Sequence, residues 1–305
     1  GQVYEKYAFV NGIKNGPAVT YYASGTVRSE DHYKNGQLDG IIKRYYENGK
    51  YFSVNTFVDG KLEGLSEFYA ITGEKQSSEM FSNNFENGIF RSYYKNGKLK
   101  EESDRVNGLI DGRIRLYFEN GQLQEEGYRK AGVTNGILKL FWENGEWKFN
   151  GQHLNGQLSG INEWYYNSGN IKVIANYVDG DTQGVTQWFN EAGVLEYSAE
   201  FKGEVKEGIE KIYYNAPAQQ EEMALESEPH FRSVEKIPVR WIKTWKNTKL
   251  EGPMKLLSRD GSVVAEFRYS DNKVLDHGKI DFEKAFSTAK MNSTEEEDLF
   301  DDLFG

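Results

Sequence analysis

Glycine recurs in this chain with a period of 24 residues. Gly16, Gly40, Gly64, Gly88, Gly112, Gly136, Gly160, Gly184 and Gly208 fall in step without a slip. A second series, Gly25 to Gly193, follows nine residues behind the first, and a third, including Gly36, Gly60 and Gly108, runs four residues ahead of it. Self-similarity at a fixed period of this size denotes a repeat architecture, in which each repeat buries its face on its neighbours. That frees the 305 residues from the usual division of such a length into two globular domains.

Counted from its period glycine, each repeat has an aromatic residue at position 5, usually followed by a second ring, as in Tyr45-Tyr46, Tyr117-Phe118 and Phe141-Trp142. A turn follows, as in Glu47-Asn48-Gly49, where Asn-Gly is expected to accept the positive φ of a tight hairpin. A second extended run carries an apolar residue at position 11 and usually an aromatic at 17, such as Tyr51 and Phe57. A second turn, such as Lys34-Asn35-Gly36, leads to the next repeat. Aromatic-rich alternating runs bounded by turn residues are strands, and glycines recur too often for a helix to grow. The expected fold is therefore all-β: an elongated single-layer solenoid of tandem antiparallel β-hairpins, one per 24-residue repeat. Two strands per repeat, spaced ~4.8 Å, would make ten repeats a twisted rod on the order of 100 Å long.

Positions 11, 13, 15 and 17 share a face. Position 15 is often small (Ser103, Gly127, Gly151, Ala175, Ala199), which is expected to leave room for core rings at 11 and 17. Position 3 is mostly charged and is expected to face water. Position 4 changes from Thr20, Arg44 and Ser92 to Leu116, Leu140, Trp164, Trp188 and Ile212, so the later repeats are the more apolar. The rings at 5 and 6 point to opposite faces. One of each pair should therefore form an exposed ladder, with Trp142, Trp164, Tyr166 and Trp188 as the candidate binding patch.

The ninth repeat breaks the pattern at Pro217, and about 20 extra polar and acidic residues follow before the period resumes at Gly252. The expected organisation is hairpin repeats over 1–215, an acidic loop over 216–236, degenerate repeats over 237–280, and a last segment over 281–305 made of a short helix (281–291) and an acidic unfolded stretch (293–305). In that last stretch Leu299, Phe300, Leu303 and Phe304 alternate with aspartates, which suits a short peptide that orders on a partner.

The recurring residues, Tyr-Tyr followed by Glu-Asn-Gly-Lys-Leu and then by Lys-Asn-Gly-Lys-Leu-Asp-Gly, resemble the MORN-repeat variant family of bacterial proteins, some of them antitoxin-like. The resemblance spans roughly 3–214 and 237–278. It implies an array that serves in scaffolding, protein contacts or membrane attachment, and it carries no catalytic motif. Choline-binding repeats and the YD repeats of toxin shells are similar hairpin solenoids. The former have a shorter unit and the latter a Tyr-Asp where this chain has Tyr-Tyr.

Chemistry is sparse. With no cysteine there is no disulfide, thiolate nucleophile or zinc–cysteine site. His32, His153, His230 and His277 show no metal-ligand spacing, so no metal and no cofactor are expected. The acid pairs Glu101-Glu102 and Glu125-Glu126 lie on successive strand residues that point to opposite faces, so they read as solvated charges rather than a catalytic dyad. A net charge of −10 repels a phosphate backbone, so nucleic acid is not an expected partner. No apolar run reaches the ~18 residues of a spanning helix. No secretory leader is visible, and the bacterial periplasm or cell envelope is favoured over the cytoplasm. The sequence points to a non-enzymatic scaffold that offers a sheet face to a protein partner, with 293–305 as a second contact. A carbohydrate or cell-envelope binder is the alternative, and a toxin-neutralising antitoxin is suggested by the resemblance alone.

Overall fold

A computed structural model describes residues 4–214 and 239–281. The acidic loop expected at 216–236, the helix expected beyond Asp281, and Leu299, Phe300, Leu303 and Phe304 lie outside the described residues. The protein is all-β, with 24 strands and no helix among the described residues. The chain divides into two bodies, one of residues 1–147 and 153–156, the other of residues 148–152 and 157–305. In each body, strands that follow one another along the chain pair antiparallel, and no pairing closes the ladder among the described residues.

The register repeats with the sequence. Position 2 faces position 15 of its own repeat, as in Ile114 opposite Gly127, and position 15 of the repeat before, as in Ser103 opposite Ile114. The two turns differ from each other and from the expectation for Asn48-Gly49. There the Gly49 amide donates to the Tyr46 carbonyl at 2.9 Å and the Tyr46 amide to the Lys50 carbonyl at 2.8 Å. Only Gly49 of this loop has positive φ (82°), so the turn is a three-residue loop ending in a left-handed glycine. Asn48 serves through its side chain instead. Its Oδ1 accepts the Lys50 amide at 3.1 Å, and its Nδ2 donates to the Ile71 carbonyl of the following turn at 2.8 Å. Asn96 and Asn120 repeat both bonds. The second turn is the two-residue type with positive φ at both positions, as in Asn35-Gly36 (51° and 84°) and Asp59-Gly60 (46° and 78°).

The period glycine marks a bulge. Ser103 pairs with Ile114, but Arg105 pairs with Ile110, so residues 111–113 face Asp104 alone. Gly112 sits in the middle of that bulge at φ 135°, and a Cβ added to it would lie 2.8 Å from the Asp104 Cβ. Left-handed backbone and close approach to the neighbouring strand thus demand glycine together.

The most buried columns are not the aromatic ones. Positions 2, 13 and 15 are covered: Ala18, Ile42, Ile114 and Thr186 at 2, Ser29 and Ser53 at 13, Ser103, Ala175 and Ala199 at 15. Most rings at 11 and 17 lie half-buried beside these columns, and Tyr51 is exposed. Small residues at 15 make room for positions 2 and 13: a Cβ on Gly151 would overlap the Asn162 carboxamide and the Phe149 ring.

Charge is also less solvated than expected. Glu102 and Glu126 pair with Arg91 (2.8 Å) and Arg115 (2.7 Å) on one face. Glu101 and Glu125 turn to the other face, half-buried, and pair there with Arg105 and Arg129, which replace the aromatic at position 17. Position 3 does not simply face water. Glu163 is 7% exposed and accepts from Tyr165 Oη (2.8 Å) and Asn150 Nδ2 (3.1 Å). Burial, and then the Glu163 carboxylate, push the Tyr165 hydroxyl pKa far above its usual value. In the second body Glu210, also buried, pairs with Lys206 and Lys243, and Trp241, Met254, Leu256, Val264, Ala265 and Phe267 form one buried apolar cluster.

Candidate functional site

Within the second body, four consecutive strands build an open aromatic cleft of about 430 Å³: Gln157–Tyr165, Ile171–Val178, Asp181–Phe189 and Leu195–Lys202. Val173 pairs with Trp164 on one side and Trp188 on the other, which fixes two position-4 indoles two strands apart. Each indole meets the position-17 ring of its own repeat. The Trp164–Tyr177 and Trp188–Phe201 centroids are both 6.1 Å apart, tilted 59° and 58°. Trp164 leans also on Phe149 (5.2 Å), and Trp188 on Tyr197 (4.8 Å). Two equivalent aromatic rungs therefore stand one repeat apart, about 10 Å.

The space between them exists because the floor is small. Ala175 and Thr186 line it, and Ala199 stands opposite Thr186 in the next strand. Thr186 is 3% exposed, and its Oγ1 has no hydrogen-bond partner. A buried hydroxyl without a partner costs on the order of 1–3 kcal/mol. Thr182 and Lys172 complete the polar lining, which holds no carboxylate. The Lys172 ammonium also stands 5.4 Å from the Tyr166 ring centroid.

Of the four rings singled out in the sequence, Trp164 and Trp188 share the cleft. Tyr166 does not line it; its Oη donates to the Phe189 carbonyl at 2.8 Å. Trp142 lies in the first body, at the same repeat position as Tyr166. Neither ring of any position-5 and -6 pair stands out as an exposed ladder; each is half-buried or buried. Thr186, Val173, Tyr177 and Phe201 were not foreseen as site residues. The available signal was the coincidence of Trp at 4, Ala at 15 and a ring at 17 in repeats seven and eight. No group of three or more His, Asp or Glu side chains among the described residues is arranged to hold a metal ion.

The geometry defines a tandem β-hairpin-repeat protein with an aromatic cleft on one face. The family model described as the MORN repeat variant matches residues 14–35, 38–59, 86–107, 110–131 and 158–179, each match opening two residues before a period glycine. The chain thus carries MORN-variant repeats, which as a class are interaction repeats for proteins and membranes. No curated protein matches. Among solved structures, this chain is similar to the crystal structures of TcdB2-TccC3-TEV (12% identity, TM-score 0.18) and of TcdB2-TccC3-Cdc42 (13%, 0.19). The first match covers 87% of this chain and 17% of the other; the second covers 88% and 16%. This chain therefore spans about one sixth of the length of those chains.

Proposed function

We propose that this chain is a non-enzymatic protein-binding array whose receptor is the Trp164–Trp188 cleft, and that its ligand is an extended peptide segment of a protein. The observation that carries the reading is the buried Thr186 hydroxyl, unpartnered on the floor of an open cleft with aromatic walls. An occupant must bring apolar groups for the rings and, once the Thr186 side chain turns about χ1 to bring its buried hydroxyl to the cleft, a hydrogen-bonding group for it. A peptide brings both, because its backbone alternates donors and acceptors. A lipid chain leaves the hydroxyl unpaired. A sugar would bury many hydroxyls against a lining whose side-chain polar groups are Lys172, Thr182, Thr186 and the edges of the rings.

The test is selection from a random-peptide library on the whole protein, with Trp188→Ala as counter-selection. Enriched peptides should lose at least about tenfold in affinity on Trp188→Ala, as expected for a central aromatic anchor. Binding indifferent to that change contradicts the reading. Glycan-array binding lost in Trp164→Ala would replace the peptide by a carbohydrate.

A further inference from the structure

We propose that the cleft docks residues 298–304 of this same chain, Asp-Leu-Phe-Asp-Asp-Leu-Phe, so that the repeat array is occupied by its own sequence until a protein ligand displaces it. The inference rests on the cleft being a peptide receptor, and it names the first occupant.

Three observations support it. First, the chemistry matches. The segment offers two Leu-Phe pairs to a lining of two indoles, a phenyl and a phenol ring, and its backbone can pair with the buried Thr186 hydroxyl once that side chain turns about χ1 toward the cleft. A Phe side chain entering between the two aromatic rungs gains edge and face contacts with both.

Second, the charges match. The segment carries three aspartates and follows Glu295-Glu296-Glu297, whereas the cleft lining carries Lys172 and no carboxylate. Acidic residues flanking the apolar anchors therefore meet a cation at the rim rather than repulsion.

Third, the connection is long enough. Six strand spacings separate the strand Asp181–Phe189 from the strand Lys273–Ile280, about 29 Å at the standard interstrand distance. The residues 282–298 can span on the order of 55 Å when extended. Tethering within reach raises the local concentration of the segment, to the millimolar range for a flexible linker of matching length. Even a weak peptide contact would then be largely made.

The chain has no cysteine, so introduced thiols report cleanly. Thr182→Cys places a thiol at the cleft rim, and Gly305→Cys places one beside Phe304 without removing an anchor or an aspartate. Val185→Cys puts the control thiol on the opposite face of the same strand, where Val185 is exposed. In dilute whole protein under mild oxidation, the 182/305 pair should close within one chain at least about tenfold faster than the 185/305 pair. Adding Phe300→Ala and Phe304→Ala should reduce it to the control rate. Equal rates for the two pairs overturn self-docking, and so does a disulfide that forms only between chains.

A labelled peptide of residues 295–305, added to the whole protein bearing Phe300→Ala and Phe304→Ala, separates the two layers of the account by its anisotropy. Binding there that is lost on Trp188→Ala, without an intramolecular disulfide, overturns self-docking alone. Neither binding nor disulfide overturns self-docking and, with it, this peptide as a ligand of the cleft; the library selection then decides the receptor reading by itself.

Discussion

The hydroxyl of Tyr166 donates to the backbone carbonyl of Phe189, 23 residues on, at 2.8 Å. The same bond joins Tyr22 to Tyr45, Tyr46 to Tyr69, Tyr94 to Tyr117 and Tyr214 to Leu257. Every position-6 tyrosine of the described repeats thus clasps the position-5 carbonyl of the next repeat, beside the bulge that interrupts the ladder there. Where position 6 is Ala70 or Phe118, no hydroxyl is available.

A clasp between neighbours is a direct coupling term between repeats. Tyr166→Phe keeps the ring and removes the bond, so it should cost about 1 kcal/mol, near the net worth of one hydrogen bond. Denaturant unfolding measures this. Tyr46→Phe, in the other body, should add independently to it.

The two glycine environments predict different costs. Gly112→Ala combines left-handed φ with overlap at Asp104, and should lose at least about 2–3 kcal/mol. Gly97→Ala also has positive φ (82°) but open space around the added methyl, and should lose about 1 kcal/mol. Thermal melts of the two variants give the order, and equal losses would refute the bulge explanation.

This contrast shows what the sequence could convey. Period, strand pairing and the existence of two turns were legible, because glycine spacing and ring alternation are local patterns. The use of Asn48 through its side chain was not, since Asn-Gly has the same letters whether Asn supplies φ or hydrogen bonds. The burial of Ser29, Ser53 and Ser103 was hidden for a related reason. Small polar residues signal turns or exposed strands until register places them in the crowded central columns. Trp164 and Trp188 were legible as a pair by spacing. Thr186 was not, because its importance comes from the missing partner of one oxygen.

The charged rungs of the first body replace aromatic ones, and they should be replaceable in turn. Arg105 ion-pairs with Glu86 and Glu101 and lies 3.7 Å from the Phe90 ring centroid. Arg105→Ala strands two half-buried carboxylates and should cost about 1–2 kcal/mol, less than a fully buried pair because water still reaches all three groups. Glu101→Val with Arg105→Tyr, which copies repeat seven at positions 13 and 17, should recover most of that loss in the same unfolding assay.

Two glutamates give opposite pH signatures. Burial, opposed by the Ser77 hydroxyl and reinforced by the charge of Glu86, raises the Glu79 pKa. Its folded state therefore favours the proton, and stability from this group is full below the unfolded value and lost as pH rises through the folded one. Glu79→Gln should raise the melting temperature at pH 7 and leave it little changed near pH 4. The hydrogen bond from Lys75, ahead of the opposing effect of burial, lowers the Glu67 pKa. That stability is present above the unfolded value and lost as pH falls through the folded one. Glu67→Gln should lower the melting temperature at pH 7, with the deficit shrinking as the solution is acidified. Two variants with the same pH trend would contradict these assignments.

The central claim is that an unpaired hydroxyl in an aromatic cleft awaits a peptide. Thr186→Val keeps the shape of the side chain and removes that hydroxyl. A single experiment that measures both the melting temperature of this variant and its affinity for a library-selected peptide tests the claim. The account predicts a variant more stable by about 1 kcal/mol, since the buried polar atom without a partner is gone, and at least about tenfold weaker in binding. A variant that is less stable, or that binds the peptide as tightly as the parent, would contradict it.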